Sequence, residues 1–319
     1  MTTLLLPADA RPQTRITPPQ PAQPAHVPHR LTQKWHTPCF DNLNKLTWVD
    51  GFGVQTHGVR VGVRVSDPAL IPILKALLPA HAKPCMTNRF DTILSVIRGG
   101  RVAGSRVRNF HMVYQNHTEI ARARTEEDAL DRFQSWFALS VAFLAPRRVF
   151  VHAGAVEWKG RAILLPGKSL AGKSTLTAAL VRAGARYLSD EFAVLDGAGN
   201  VHAWPKPISM RETPTSKQVD MPIEAFGGQQ HEGAAPPGLV VMTHYKEGAT
   251  WRPRRLGRGE AMLALLDNCI AGRLAPTRVL DALDAVTDQA VTIKSPRGPA
   301  EIIAKKILSK IEKTYCKTR

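Results

Sequence analysis

Four residues within ILLPGKSLAGKSTLTAAL (163–180) have the types and spacing to hold a phosphate: Gly167, Gly172, Lys173 and Ser174, in the pattern G-x-x-x-x-G-K-[ST]. Each type has a chemical reason. Glycines let backbone N–H groups close around a phosphate, lysine reaches the β- and γ-phosphate oxygens of a nucleotide, and the serine hydroxyl enters the shell of Mg²⁺. A helix beginning at the lysine adds the partial positive charge of its N-terminus. Gly167, Lys168, Ser169, Leu170, Ala171, Gly172, Lys173, Ser174 and Thr175 therefore form the candidate nucleotide-binding loop. An acidic pair, Asp190 and Glu191 in RYLSDEFAVLD, follows 17 residues after Lys173. One helix and one short strand fill that interval, the closeness needed if an acid is to face the γ-phosphate and its acceptor. One carboxylate can then take a proton from an acceptor hydroxyl while the other holds the metal. In a plain helix-to-strand turn the same two residues would be solvated acids. No N-K-x-D base-reading motif and no L-S-G-G-Q signature accompanies the loop.

The loop has to be held between a strand and a helix. AILLP reads as that strand, and STLTAALVRAG as a helix ending at Gly184. Further on, LVVMTHY (239–245) is strand-like and GEAMLALLDNC (259–269) helix-like, while GQQHEGAAPPG (228–238) reads as a flexible loop. The basic last segment is a helix with Ile302, Ile303, Ile307 and Ile311 as one apolar stripe and its lysines on the solvated face.

Upstream lies a different composition. Residues 1–31 contain seven prolines in a polar background, the signature of a disordered tail. Residues 32–146 read as a small α+β unit. GVRVGVRV (58–65) has the period of a half-buried strand, and DTILSVIRGG (91–100) and NFHMVYQNH (109–117) are further strands. DPALIPILKALL (67–78) is a short helix begun by Asp67 and Pro68. TEEDALDRFQSWFALSVAFLA (125–145) is a strong helix capped by Thr125, with Leu130, Phe133, Phe137 and Val141 on one face. Residues 147–319 then make up the domain that carries the loop.

With 319 residues, 44% hydrophobic and 22% charged, the chain has an ordinary globular composition. Its formal charge of +17 is not ordinary and favours acidic partners, nucleic acid among them. A surplus spread over a solvated surface is the alternative, and no long Lys/Arg run marks a nucleic-acid arm. Cys39, Cys85, Cys269 and Cys316 are too scattered for a zinc site and read as free thiols of a reducing cytosol. No run of 18 apolar residues is present to cross a bilayer, and MTTLLLPADARPQTR lacks the basic start and apolar length of a signal peptide. The expectation is a soluble cytoplasmic protein with no membrane partner.

The stretch VHAGAVEWKGRAILLPGKSLAGKSTLTAALVRAGARYLSDEFAVL resembles the catalytic core of HPr serine kinase/phosphorylase and its HPr-kinase-related relatives. In that family a His-Gly-type strand precedes the loop and an acidic A-D-D stretch follows the loop helix. Here His152 lies 15 residues before Gly167, and Ser189-Asp190-Glu191 takes the place of the acidic stretch. WPKPISMRE (204–212), PRRLGRGEAMLALLDN (253–268) and the unit before residue 146 are more similar to the HPr-kinase-related branch than to the HPr enzymes. Strong similarity covers 149–212, and a looser one most of 32–312.

The resemblance implies an α/β fold, α+β overall, with a phosphoenolpyruvate-carboxykinase-like P-loop kinase core unlike that of RecA-type ATPases. It implies ATP and Mg²⁺ as cofactors and transfer of phosphate to a hydroxyl, usually serine. Carried over by position, Lys173 and Ser174 serve the phosphates and Mg²⁺, Asp190 is the general base, and His152 lies beside the reacting phosphate or the acid. Taken alone, a histidine at the end of an apolar strand is simply packed. Glu191 stands where the HPr enzymes have a second aspartate, which makes it the metal candidate with altered geometry. Lys206 and Arg211 are candidates to neutralise the transferring phosphate. The glycine-rich signature tied to phosphorylase activity has no match, and PKPISMRETP occupies its approximate place, which argues against a reverse reaction and against HPr as acceptor. The resemblance carries over no oligomeric state.

Three functions stay open on the sequence. One is an ATP-dependent kinase whose acceptor hydroxyl belongs to a peptide, a small protein or a small molecule. A second is a kinase of nucleic-acid hydroxyls, for which the charge argues and binding that falls steeply with salt would speak. The third is a nucleotide-gated binding module that transfers nothing.

Overall fold

The structure, a computed structural model, describes residues 43, 46, 48–87, 89–100, 110–211, 216 and 218–315. The proline-rich segment 1–31, Cys39 and Cys316 lie outside the described residues. The chain divides between Pro146 and Arg147 into two compact units. It is a mixed α/β protein, with six α-helices among the described residues.

The first unit is a six-stranded sheet of β1 (Asp50–Thr56), β2 (Val59–Val65), β3 (Lys83–Pro84), β4 (Thr92–Ile97), β5 (His111–Gln115) and β6 (Thr118–Ala123), in the order β3-β1-β2-β4-β5-β6. Alternation in GVRVGVRV puts Val59, Val61, Val63 and Val65 in the core, because successive strand side chains face opposite ways. β2 and β4 run parallel, which requires a crossover, and α1 (Leu70–Ala76) lies in it. That helix starts later than Asp67-Pro68 suggests. Asp67 Oδ1 accepts the Ala69 N–H at 2.9 Å and the Asp67 carbonyl accepts the Leu70 N–H at 3.1 Å, so a turn precedes it.

α2 (Glu126–Leu144) is capped by Thr125, whose Oγ1 accepts the Asp128 N–H at 3.2 Å. Glu126, Glu127 and Asp128 fill its first turn, where the helix dipole favours negative charge. Phe133, Phe137 and Val141 are buried. Thr125→Ala removes the capping acceptor and is expected to lower the stability of this unit by about 1 kcal/mol. A urea titration would show a lower midpoint with an unchanged slope; an unmoved midpoint would mean that the cap contributes nothing.

The second unit contains β7 (Val149–Trp158), β8 (Arg161–Pro166), α3 (Lys173–Arg182), β9 (Arg186–Ser189), β10 (Phe192–Leu195), β11 (Val201–His202), β12 (Ile208–Met210) and β13 (Val219–Met221). After these come β14 (Ala234–Ala235), β15 (Pro237–Met242), β16 (Arg254–Arg255), α4 (Arg258–Leu266), α5 (Pro276–Gln289), β17 (Val291–Lys294) and α6 (Ala300–Tyr315). The main sheet follows the path β14-β11-β10-β7-β8-β15-β17-β16, with β9 also on β7, while β12 and β13 pair with each other. β15 is parallel to β8 and β17; β7 is antiparallel to β8, β9 and β10.

Helices cover both faces, and the strands read as unbroken apolar runs for that reason. Ile163 and Leu165 of β8, with Leu239 and Val241 of β15, pack on one side against Leu176 of α3 and Ile303 and Ile307 of α6. Leu164 and Val240 face the other side, against Leu265 of α4 and Val279 and Leu283 of α5. On α6 the buried stripe is Ile303, Ala304, Ile307, Leu308 and Ile311, and Ile302 is 56% exposed. One residue turns a helix by about 100°, enough to carry Ile302 off the edge of that stripe.

Residues 228–238 also differ from the flexible loop expected. The Tyr187 N–H donates to the Gln229 carbonyl at 2.8 Å, the His231 N–H donates to the Tyr187 carbonyl at 2.8 Å, and β14 pairs with β11. Glycine and proline suppress a helix there but leave enough backbone donors and acceptors to join a sheet edge. Cys85 and Cys269 are free thiols. Among the described residues no helix is long and apolar enough to cross a membrane.

Candidate active site

β8 ends at Pro166 and α3 begins at Lys173, so residues 167–172 form the turn between them. Leu170 and Gly172 have φ of 67° and 81° there. Gly172 needs both its freedom and its missing side chain, since a Cβ would sit 2.5 Å from Arg297 Nη2. Leu170 has no such freedom; its left-handed backbone costs about 1–2 kcal/mol, and its side chain is exposed. Strain of this kind is held in place by the surrounding structure. Three contacts supply the hold: the Gly167 N–H on the His152 carbonyl at 3.3 Å, the Ala171 N–H on the Lys168 carbonyl at 3.2 Å, and Lys173 Nζ on that same carbonyl at 2.9 Å. Lys168, Ser169 and Leu170 form the exposed arc of the turn, and Thr175 is exposed on α3. Behind it α3 lies directly on β7, where a Cβ at Gly154 would collide with Thr177 Oγ1.

Asp190 and Glu191 occupy the turn between β9 and β10. Ser189 shapes it, its Oγ accepting the N–H groups of Glu191 and Phe192 at 3.1 and 3.0 Å, a serine-led turn. Phe150, Phe192 and Trp204 pack edge to face beside it. Asp190 is only 5% exposed, yet its carboxylate is well served. Its Oδ2 accepts the Ser174 hydroxyl at 3.1 Å and the Ser209 N–H at 3.2 Å. The Tyr187 hydroxyl lies 3.2 Å from Asp190 Oδ1 and 3.0 Å from the Lys206 carbonyl. Burial raises the Asp190 pKa above the usual carboxylate value, partly offset by Lys206 and the hydrogen bonds. Glu191 is ion-paired with Lys206 Nζ at 2.9 Å.

His152 stands on β7 opposite Phe192 of β10. Burial, then the Lys173 charge, push its pKa down to about 4, so the imidazole is neutral at pH 7 with one N–H and one acceptor lone pair. Lys173 is pushed down to about 8 by burial, against the pull of Asp190 and Glu191.

The fold thus brings Lys173, Ser174 and Asp190 to one helix N-terminus and sets His152, Glu191 and Lys206 within electrostatic reach of them. Arg211 is exposed just past β12, and none of these hydrogen bonds involves it. Tyr187, Ser209 and Arg297 went unnoticed in the sequence. Arg297 is 1% exposed and donates from Nη2 to the Gly172 carbonyl at 2.7 Å, 125 residues away in the chain. Nothing in SPRG (295–298) marks it.

The site suits the groups that the loop pattern implies. A helix N-terminus with a lysine ammonium that rests on a neutral carbonyl fits a polyphosphate. Ser174 Oγ and the Glu191 carboxylate are hard oxygens of the kind Mg²⁺ takes alongside phosphates and waters, although among the described residues no group of three or more His, Cys, Asp or Glu side chains is arranged to hold a metal by itself. Lys173 gives a test. Its ammonium is present below about 8 and lost above, whereas bound phosphates would keep it protonated. Nucleotide binding at pH 8 is therefore expected to take up a proton and to weaken as pH rises. Calorimetry in two buffers of different ionisation heat would show unequal heats at pH 8; equal heats would contradict this.

No family model matches the chain, and no curated protein matches it. Among solved structures it is similar to the Hpr(Ser) kinase/phosphatase from Coxiella burnetii, at 15% identity and a TM-score of 0.30, over 52% of this chain and 97% of that one.

Proposed function

We propose that this protein is an ATP- and Mg²⁺-dependent phosphotransferase that passes the γ-phosphate to a hydroxyl of a peptide, small protein or small molecule, with residues 147–319 as a P-loop kinase core related to phosphoenolpyruvate carboxykinase. The observation that carries this is the 3.1 Å contact between Ser174 Oγ and Asp190 Oδ2, which sets a base beside the point where phosphates would enter the loop. The acceptor oxygen attacks the γ-phosphorus, its proton passes to Asp190, and the bond to the β-phosphate oxygen breaks to release ADP. Asp190 is suited to that proton because burial has made it a stronger base, and among the described residues the Tyr187 hydroxyl is the hydrogen-bond partner of its Oδ1. Lys173 and Lys206 neutralise charge on the transferring group. His152, being neutral, can donate a hydrogen bond to a phosphate oxygen without adding charge. Ser174 and Glu191 would hold Mg²⁺, which supplies further charge neutralisation at the β- and γ-oxygens.

The test is incubation with γ-labelled ATP and Mg²⁺, using lysate fractionated into protein, nucleic acid and small molecules as acceptor. Label in the protein or small-molecule fraction that depends on Lys173 and Asp190 supports the proposal. Label confined to nucleic acid would replace the acceptor class. Binding of ATP with no label anywhere would leave a nucleotide-gated module.

A further inference from the structure

We infer that Arg297 is a positioning residue of the phosphate loop, holding the Gly172–Lys173 peptide so that its N–H is presented to a bound polyphosphate; this rests on the nucleotide-binding reading above. Arg297 is an expensive residue to place where it is. It is 1% exposed, no carboxylate pairs with it among the described residues, and its Nε has no partner. Burial lowers its pKa. A buried guanidinium whose hydrogen bonds, among the described residues, go to the carbonyls of Gly172 and Gly298, with the Tyr245 ring 5.7 Å away and Glu301 acting on it only at a distance, does little for the stability of the isolated fold.

Its geometry does something else. In a trans peptide the C=O and the following N–H point in opposite directions. The Gly172 carbonyl is held by Arg297 Nη2 at 2.7 Å and by the Leu176 N–H at 3.1 Å, which turns the Lys173 N–H the other way. One peptide earlier, the Ala171 carbonyl accepts the Tyr245 N–H at 3.4 Å, and this turns the Gly172 N–H in the same manner. Tyr245 and Arg297 belong to one clip. They form a parallel bridge in which the Arg297 N–H reaches the His244 carbonyl at 3.0 Å and the Lys246 N–H reaches the Arg297 carbonyl at 2.9 Å. A single structural unit therefore fixes two consecutive carbonyls of the loop. The N–H groups it turns outward are among those that a helix start leaves without acceptors.

The charges point the same way. Lys173 Nζ rests on the Lys168 carbonyl and Arg297 on the Gly172 carbonyl, so among the described residues both cations touch the loop through neutral oxygens, with Asp190 and Glu191 near Lys173 and Glu301 near Arg297 acting only at a distance. A polyphosphate would bring negative charge into direct contact with the loop that these two cations hold.

The test is Arg297→Met, of similar size but uncharged, with Arg297→Lys beside it. Each full-length variant is titrated with Mg²⁺ and a non-hydrolysable ATP analogue, and its Tm is recorded without nucleotide. Arg297→Met is expected to raise the Kd about tenfold or more while leaving the nucleotide-free Tm at or above that of the wild type. Arg297→Lys is expected to recover part of the affinity. A wild-type Kd in Arg297→Met would overturn the inference while the nucleotide reading stands. A fall in Tm in both variants that accounts for the lost affinity would make Arg297 a structural strut and overturn it too. If the wild type itself binds no analogue, the proposed function fails first and the inference with it.

Discussion

Asp190→Asn is expected to give a protein that folds and binds nucleotide but transfers phosphate about 10²- to 10⁴-fold more slowly, the usual cost of losing a general base. The amide can keep the hydrogen bonds that the described groups make to the carboxylate. With its oxygen in the Oδ2 position it accepts the Ser174 hydroxyl and the Ser209 N–H, as the carboxylate does. Its NH₂ then donates to the Tyr187 hydroxyl, whose own proton goes to the Lys206 carbonyl. Stability should move in the opposite sense to activity. The folded pKa of Asp190 is raised, so at pH values above it the ionised carboxylate opposes folding. Removing that charge should raise the Tm near pH 7, by a margin that shrinks as pH falls and the wild-type carboxyl takes up its proton. A Tm well below the wild type would mean that Asp190 is there to hold the fold.

Lys173→Ala should act one step earlier. Its ammonium is half-buried against the loop, with a carbonyl as its hydrogen-bond partner, and on the proposed function it would meet the β- and γ-phosphates. Loss of one preorganised donor to such charge is worth about 10²- to 10³-fold in rate. Nucleotide affinity should fall with it, and the proton uptake at pH 8 should vanish. Wild-type affinity in this variant would place the phosphates elsewhere. The two substitutions therefore separate binding from transfer: Lys173→Ala loses both, Asp190→Asn loses transfer alone.

What could be read in the sequence was local in the chain. The loop, its strand and its helix are contiguous, so spacing alone outlines them, and the Thr125 cap sits next to the helix it starts. Contacts between distant segments were not legible. Arg297 meets Gly172 across 125 residues, and the Ser209 N–H reaches Asp190 only because β12 folds back on the acidic turn. β1 and β6 lacked a clear signal for a different reason. β1 carries Gly51 and Gly53 in its apolar alternation, and β6 is largely exposed, held by its pairing with β5 more than by burial. Residues 228–238 looked flexible because their composition describes side chains, whereas backbone pairing to Tyr187 and β11 orders them.

A crystal structure with Mg²⁺ and a non-hydrolysable ATP analogue would test the phosphotransferase reading most directly. The β-phosphate is expected within the turn 167–172 on the N–H groups at the start of α3, with Ser174 Oγ on the metal and Asp190 facing the far side of the γ-phosphate. A nucleotide bound away from this turn, or a γ-phosphate turned away from Asp190, would contradict it.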